Sequence, residues 1–185
     1  MQVLVTYFSQ TGNTRRVAEA IREEVSARGF ACALRDLTEL TPSDLADYDL
    51  VFVGSACHSA SLAEPALKLL EGVNSSAGFT LAGFATHSVA PPGSSVGSRT
   101  LYEKWAGNCR LAFEKACENS SVGFLGYFGC QGAPSPPIEE FIHQTIITDP
   151  NEWEEYVTSV RSHPDAADIA SAKQFAVNIL DSIST

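Results

Sequence analysis

At 185 residues the chain fits one compact domain, and 44% hydrophobic with 18% charged residues is the composition of a globular protein, not a disordered one. A formal net charge of −10 argues against nucleic-acid binding, which needs clustered Lys and Arg against phosphate, and no apolar run nears the roughly 18 residues of a membrane span. The acidity suits a protein that stays soluble, or one that meets partners with basic docking surfaces.

Residues 2–8 (QVLVTYF) form a short apolar, β-rich run. With no basic segment or cleavage-type site ahead of it, no export leader is expected. Five cysteines without a CxxC pair fit neither a disulfide framework nor a zinc site, so a reducing cytoplasm is the expected compartment. Residues 13–28 follow as a helix, with Val17, Ile21 and Val25 on one face and Gly29 as its stop. A second strand is predicted at 30–37 and a third, buried on both faces, at 50–54. A helix over 62–72 turns Leu62, Ala66, Leu69 and Leu70 inward. The fourth strand is placed at 78–85 and a helix at 101–117, where Leu101, Trp105, Cys109, Phe113 and Ala116 share a face and put Trp105 and Phe113 in the core. A fifth strand at 121–128 and a closing helix at 168–183 complete the order.

Strands alternating with helices indicate an α/β domain with a parallel sheet, because parallel neighbours need crossover connections. Segments 87–99 (HSVAPPGSSVGSR) and 131–165 depart from short connections. Both follow strands, so both should emerge at the carboxyl edge of the sheet, where open α/β sheets bind ligands.

The turn after the first strand is polar throughout: Ser9, Gln10, Thr11, Gly12, Asn13, Thr14. A helix starting there presents free N–H groups and the positive end of its dipole, an anion site that needs no lysine. The hydroxyls of Ser9, Thr11 and Thr14 and the Asn13 amide add donors. Gly12 lets the backbone approach a single phosphate monoester, which a side chain there would crowd. Arg15 and Arg16 lie close enough in sequence to assist electrostatically, with helix-surface solvation expected for at least one. An ordinary Ser/Asn-capped helix start is the plainer alternative. Neither GxxxxGK[ST] nor GxGxxG occurs, which argues against nucleoside triphosphate chemistry and a standard dinucleotide fold.

The run VTYFSQTGNTRRVAEAI resembles the phosphate-binding signature of the flavodoxin family, with Ser9, Gly12, Thr14, Ala18 and Ile21 in the matching positions and Thr6 where the family carries a larger residue. The closing HPDAADIASAKQFAVNIL is similar to the family's last helix. The resemblance implies a flavodoxin-like doubly wound five-stranded parallel sheet, order 2-1-3-4-5, with helices on both faces. It implies one domain over 1–185 with ligand-edge insertions at 87–99 and 131–165. Flavodoxins are themselves the type example of FMN held at this switch point, so that placement is borrowed from the family. Residues 9–14 would then hold the FMN phosphate. Ser55, Ala56, Cys57 and His58 after strand three, and Thr86, His87 and Ser88 after strand four, would meet the ring. Neither loop carries the Trp or Tyr that flavodoxins commonly stack on flavin; only His58 and His87 offer planar rings. A protonated histidine there would make the flavin potential depend on pH between about 5 and 8.

Rival readings of these residues lack supporting patterns. Cys57, His58 and His87 have no recognisable metal-ligand spacing, Cys57 has no Cys–His–Asn pattern, and Ser55 lies outside any GxSxG. Cys130 fits a buried structural position. Three functions stay open: an FMN-binding electron carrier for redox partner proteins, an FMN-dependent NAD(P)H or quinone oxidoreductase, and a flavodoxin-fold binding module without flavin.

Overall fold

The structure is a computed structural model and describes residues 1–73, 78–93, 98–118 and 120–183. The elements run β1 (Gln2–Phe8), α1 (Asn13–Ala27), β2 (Ala31–Asp36), two short 3-10 turns (Leu37–Glu39 and Pro42–Asp47), and β3 (Leu50–His58). They continue with β4 (Ser61–Leu62), α2 (Glu64–Glu71), β5 (Thr80–His87), α3 (Ser98–Trp105), α4 (Asn108–Glu118) and β6 (Gly123–Gln131). Helices α5 (Pro136–Thr145), α6 (Pro150–Arg161) and α7 (Ala166–Ile183) close the chain. Among the described residues no helix is long and apolar enough to cross a membrane.

Five strands are parallel in the order β2-β1-β3-β5-β6, which is the expected 2-1-3-4-5, and the short β4 pairs antiparallel with β3 outside that path. Alternation decides which helices cover which face. Val3, Val5, Leu50, Phe52, Ala82 and Phe84 pack against Val17, Ile21 and Val25 of α1 and Ala172, Ala176 and Leu180 of α7. Leu4, Val51, Val53, Leu81 and Ala85 point the other way, onto Ala66, Leu69 and Leu70 of α2 and Cys109, Phe113 and Cys117 of α4. Close packing needs a gap in the sheet: a Cβ on Gly83 would lie 2.5 Å from the Phe113 ring.

Several elements differ from their sequence-based bounds. β3 runs on through Ser55–His58, which were expected as loop, and turns back into β4. The helix expected over 101–117 is two, α3 and α4, broken around Gly107, where an added Cβ would lie 2.7 Å from the Glu103 carbonyl oxygen. Phe113 is fully buried as expected, whereas Trp105, at the break, keeps part of its surface in solvent. Segment 131–165 holds α5 and α6, each begun by a proline at its first position. Of segment 87–99, residues 94–97 lie outside the described residues.

Candidate functional site

β1 and β3 are neighbours whose crossovers leave on opposite faces, so a crevice opens beyond their carboxyl ends. The turn from β1 into α1 lies at this crevice. Ser9 Oγ accepts the Gly12 N–H at 3.1 Å and closes the turn. Gly12 sits at φ 88, ψ −10, a left-handed conformation that side chains oppose. No protein atom lies within 4 Å of a Cβ built on Gly12, so within the protein itself it is the dihedral angle that favours glycine.

No side chain caps α1, which leaves the N–H groups of its first turn facing the crevice. Thr14 is buried, and its hydroxyl lies 2.8 Å from that of Thr86 at the end of β5. With Thr86 as donor, Thr14 keeps its own proton for an anion. Asn13 is committed elsewhere: its amide donates to Thr11 Oγ1 at 3.0 Å and to the Ala133 carbonyl at 2.8 Å. That contact straps the segment after β6 across the turn, while the Gly132 N–H, donating to the His87 carbonyl at 2.9 Å, ties the same segment to the end of β5. Gln10 and Thr11 are exposed at the mouth. Arg15 pairs with Glu19 along the helix at 2.8 Å, while Arg16 forms no ion pair among the described residues. Uncapped N–H groups, the helix dipole and the Thr11 hydroxyl, whose oxygen accepts from Asn13 while its proton stays available, together suit one phosphate dianion.

The residues after β3 separate by face. Ser55 is fully buried and spends its hydroxyl on the backbone, donating to Ala56 O at 2.8 Å and accepting the Ala63 N–H at 2.9 Å; it holds the start of α2. Cys57 faces the helices and donates to the Trp105 carbonyl at 3.3 Å. Ala56 stands between them on the other face, and His58 projects into solvent with its ring edge-on to Phe8, centroids 6.2 Å apart. The β3–β4 turn is made by Ser59 and Ala60, both at positive φ (48 and 66), as a two-residue hairpin turn requires.

Thr86 and His87, expected after the strand, are its last two residues; His87 is buried and its Nδ1–H donates to Val89 O at 2.9 Å, with Tyr102 of α3 edge-on at 5.2 Å. Burial holds the imidazole well below its ordinary value, at about 4, so it stays neutral and does not titrate between pH 5 and 8 as expected from sequence. Ser88 gives its carbonyl to the Tyr156 hydroxyl at 3.1 Å, which brings α6 to the rim. Tyr102 and Tyr156 escaped the sequence reading; each lies on a helix brought to the strand ends by contacts that no local pattern announces.

His163, Asp165 and Asp168 form the one group of three potential metal ligands among the described residues, their ligand atoms within 4.8 Å. Their valences are used as a cap for α7: the Asp168 carboxylate accepts from His163 Nδ1 and the Asp165 N–H, and Asp165 accepts from the N–H groups of Ala167 and Asp168. A groove of about 530 Å³ between α2 and α4 is lined by Leu67, Leu70, Leu111 and Ala112 and by none of residues 9–14, so it is separate from the crevice.

Residues 4–177 match the family described as flavodoxin domain. The flavodoxin-like domain-containing protein BilS of Clostridioides difficile (strain CD3) is 27% identical over 191 residues, covering 97% of each chain. Among solved structures, oxidised Flavodoxin 2 from Bacillus cereus superposes with a TM-score of 0.66 at 16% identity, covering 98% of this chain and 99% of that one. The Streptococcus pneumoniae TIGR4 flavodoxin does so at 0.63 and 14% identity, with the same coverage. A match of this extent, on a parallel sheet of this order and with the turn at residues 9–14 where the crevice opens, assigns the chain to the flavodoxin family.

Proposed function

We propose that the chain binds FMN and carries electrons between redox partner proteins. The observation that supports this most is the uncapped start of α1 behind a left-handed Gly12, ringed by Ser9, Thr11 and Thr14 at the carboxyl ends of β1 and β3. These groups would hold the terminal phosphate, with the Thr11 and Thr14 hydroxyls and the first-turn N–H groups as donors. Asn13 and Thr86 would position that turn, through Ala133 and Thr14. Ala56 and His58 on one side, and His87, Ser88 and Tyr102 on the other, would border the ring, with His87 neutral. Bound FMN supplies the redox chemistry, accepting and releasing one or two electrons.

The chain itself would then act by binding and orienting, with no side chain required as acid or base. One domain over 1–185 suffices, a net charge of −10 suits partners with basic docking surfaces, and five free cysteines suit a reducing cytoplasm. An FMN-dependent NAD(P)H or quinone oxidoreductase is the second reading, favoured by α6 at the rim beside Ser88, which could wall a substrate pocket. Purified protein should absorb as a flavoprotein and release FMN on heating. It should be reduced by light or by a reductase, and only negligibly by NADH or NADPH alone. Rapid bleaching by a nicotinamide, followed by repeated turnover with a quinone, would decide for the second reading. A colourless protein that FMN cannot reconstitute would leave the binding module.

A further inference from the structure

Segment 131–165, which carries α5 and α6, leaves and rejoins the rest of the fold beside the turn at residues 9–14, and its two ends are tied together there. The Ala133 N–H donates to the His163 carbonyl at 3.3 Å, and the His163 ring is held by the Asp168 carboxylate in the first turn of α7. One residue earlier, the Gly132 N–H donates to the His87 carbonyl at 2.9 Å. Ala133 is thus fixed both from β5 and from the far end of the insertion, and its carbonyl accepts from Asn13 Nδ2 at 2.8 Å. Gly132 lets the two segments meet, since a Cβ there would lie 3.0 Å from Asn13 Cβ. Hydrogen-bond chemistry then decides which way each polar group faces. A carbonyl oxygen only accepts, so the Asn13 amide turns its NH2 towards Ala133. Its second N–H goes to Thr11 Oγ1 at 3.0 Å, which makes the Thr11 oxygen the acceptor and leaves the Thr11 proton to be donated elsewhere. Thr11 is exposed at the mouth of the crevice, where an anion in the turn would meet that proton.

We propose that Asn13 is a positioning residue that sets Thr11 as a proton donor to a terminal phosphate, and that the root of the α5–α6 insertion in turn sets Asn13. The inference rests on the FMN reading above and adds to it a determinant of selectivity for the phosphate-bearing flavin, anchored outside the turn itself. The Asn13 side chain gives both of its N–H groups to the protein, so it acts on a ligand only through Thr11. A hydroxyl oxygen that already accepts a hydrogen bond donates its own proton more strongly, and that gain is largest towards a charged acceptor. Riboflavin, which has no phosphate, brings no anion to that donor and is indifferent to how Asn13 is held.

The test titrates full-length apoprotein into FMN and into riboflavin, following the quenching of flavin fluorescence. It compares the wild type with Asn13→Leu, Thr11→Val, Thr11→Ser and the double variant Asn13→Leu/Thr11→Val. Asn13→Leu and Thr11→Val should each weaken FMN about three- to tenfold and leave riboflavin unchanged. The double variant should bind FMN within about twofold of Thr11→Val, because without the Thr11 hydroxyl Asn13 has nothing to orient. Thr11→Ser keeps the hydroxyl and should bind FMN as the wild type does. Should Asn13→Leu fail to fold, judged by circular dichroism, Asn13→Ala takes its place. Losses that multiply in the double variant, an equal loss of riboflavin in the Asn13 variant, or wild-type FMN affinity in Thr11→Val would overturn the inference. Any of these in a protein that still prefers FMN removes the Asn13 role alone, whereas a wild type with equal affinity for both flavins removes the phosphate reading beneath it as well.

Discussion

Gly12, Thr14 and His87 each do something that a substitution can separate from the rest of the fold. At φ 88 and with no protein atom within 4 Å of an added Cβ, Gly12 restricts substitution in the flavin-free fold through backbone energy. Gly12→Val should therefore cost about 1–2 kcal/mol or more in urea-denaturation stability, while Gly12→Asn, which tolerates the left-handed region, should lose clearly less. Equal losses would mean that side-chain volume, not dihedral angle, sets the requirement. Thr14 and Thr86 share one hydroxyl contact in a buried place, so Thr14→Val should destabilise the protein by about 1–3 kcal/mol through the orphaned Thr86 hydroxyl. The double variant Thr14→Val/Thr86→Val should recover much of that loss, and a double-mutant cycle that proves additive would remove the contact from the account. His87 makes a pH prediction. Its folded value of about 4 lies below the unfolded value near 6.5, so between these the unfolded chain binds the extra proton. The stabilisation is complete above about pH 6.5 and is lost as pH falls towards 4. From pH 7 to pH 5 the wild type should lose about 2 kcal/mol more than His87→Gln, measured by urea denaturation at both values. A parallel loss in both proteins would show that His87 is not kept neutral by burial.

At the level of elements, what could be read from the chain was what local pattern decides. The apolar strand Val3–Leu4–Val5, the four-residue spacing of Val17, Ile21 and Val25, and the polar turn between them made β1, α1 and the place of the proposed phosphate turn legible together. The α3–α4 break was not legible, because Leu101, Trp105, Cys109 and Phe113 keep helical spacing across it. What breaks the helix is tertiary: the hairpin takes the Trp105 carbonyl and the Asn108 N–H as its own partners. The hairpin was hidden in turn, since Ser59-Ala60 lacks the Asn-Gly chemistry that advertises such a turn. Helices α5 and α6 did carry signals, Ser135 before Pro136 and Asp149 before Pro150, the latter accepting the N–H groups of Asn151 and Glu152. Replacing Ser59-Ala60 by Asn-Gly should relieve two left-handed non-glycine residues and raise stability by about 1–2 kcal/mol, read from the urea midpoint. No gain would show that the surrounding contacts already favour the observed turn.

For the whole molecule, the proposed carrier role joins an acidic surface to a flavin held at one edge. A net charge of −10 should make encounter with a basic redox partner slow markedly as salt rises from about 0.01 M to 0.15 M, followed by stopped-flow flavin absorbance. A salt-independent rate would detach the charge from partner choice. The proposed binding of the FMN phosphate by residues 9–14 is tested most directly by comparing FMN with riboflavin, which differs by that phosphate alone. Each charge-assisted hydrogen bond is worth about 1.5–3 kcal/mol, so two or more from the turn should favour FMN at least about 100-fold. Titrating apoprotein into each flavin and following fluorescence quenching should show that ratio, and Thr14→Val should narrow it by weakening FMN while leaving riboflavin nearly unchanged. Equal affinity for FMN and riboflavin, or equal losses of both in Thr14→Val, would contradict it.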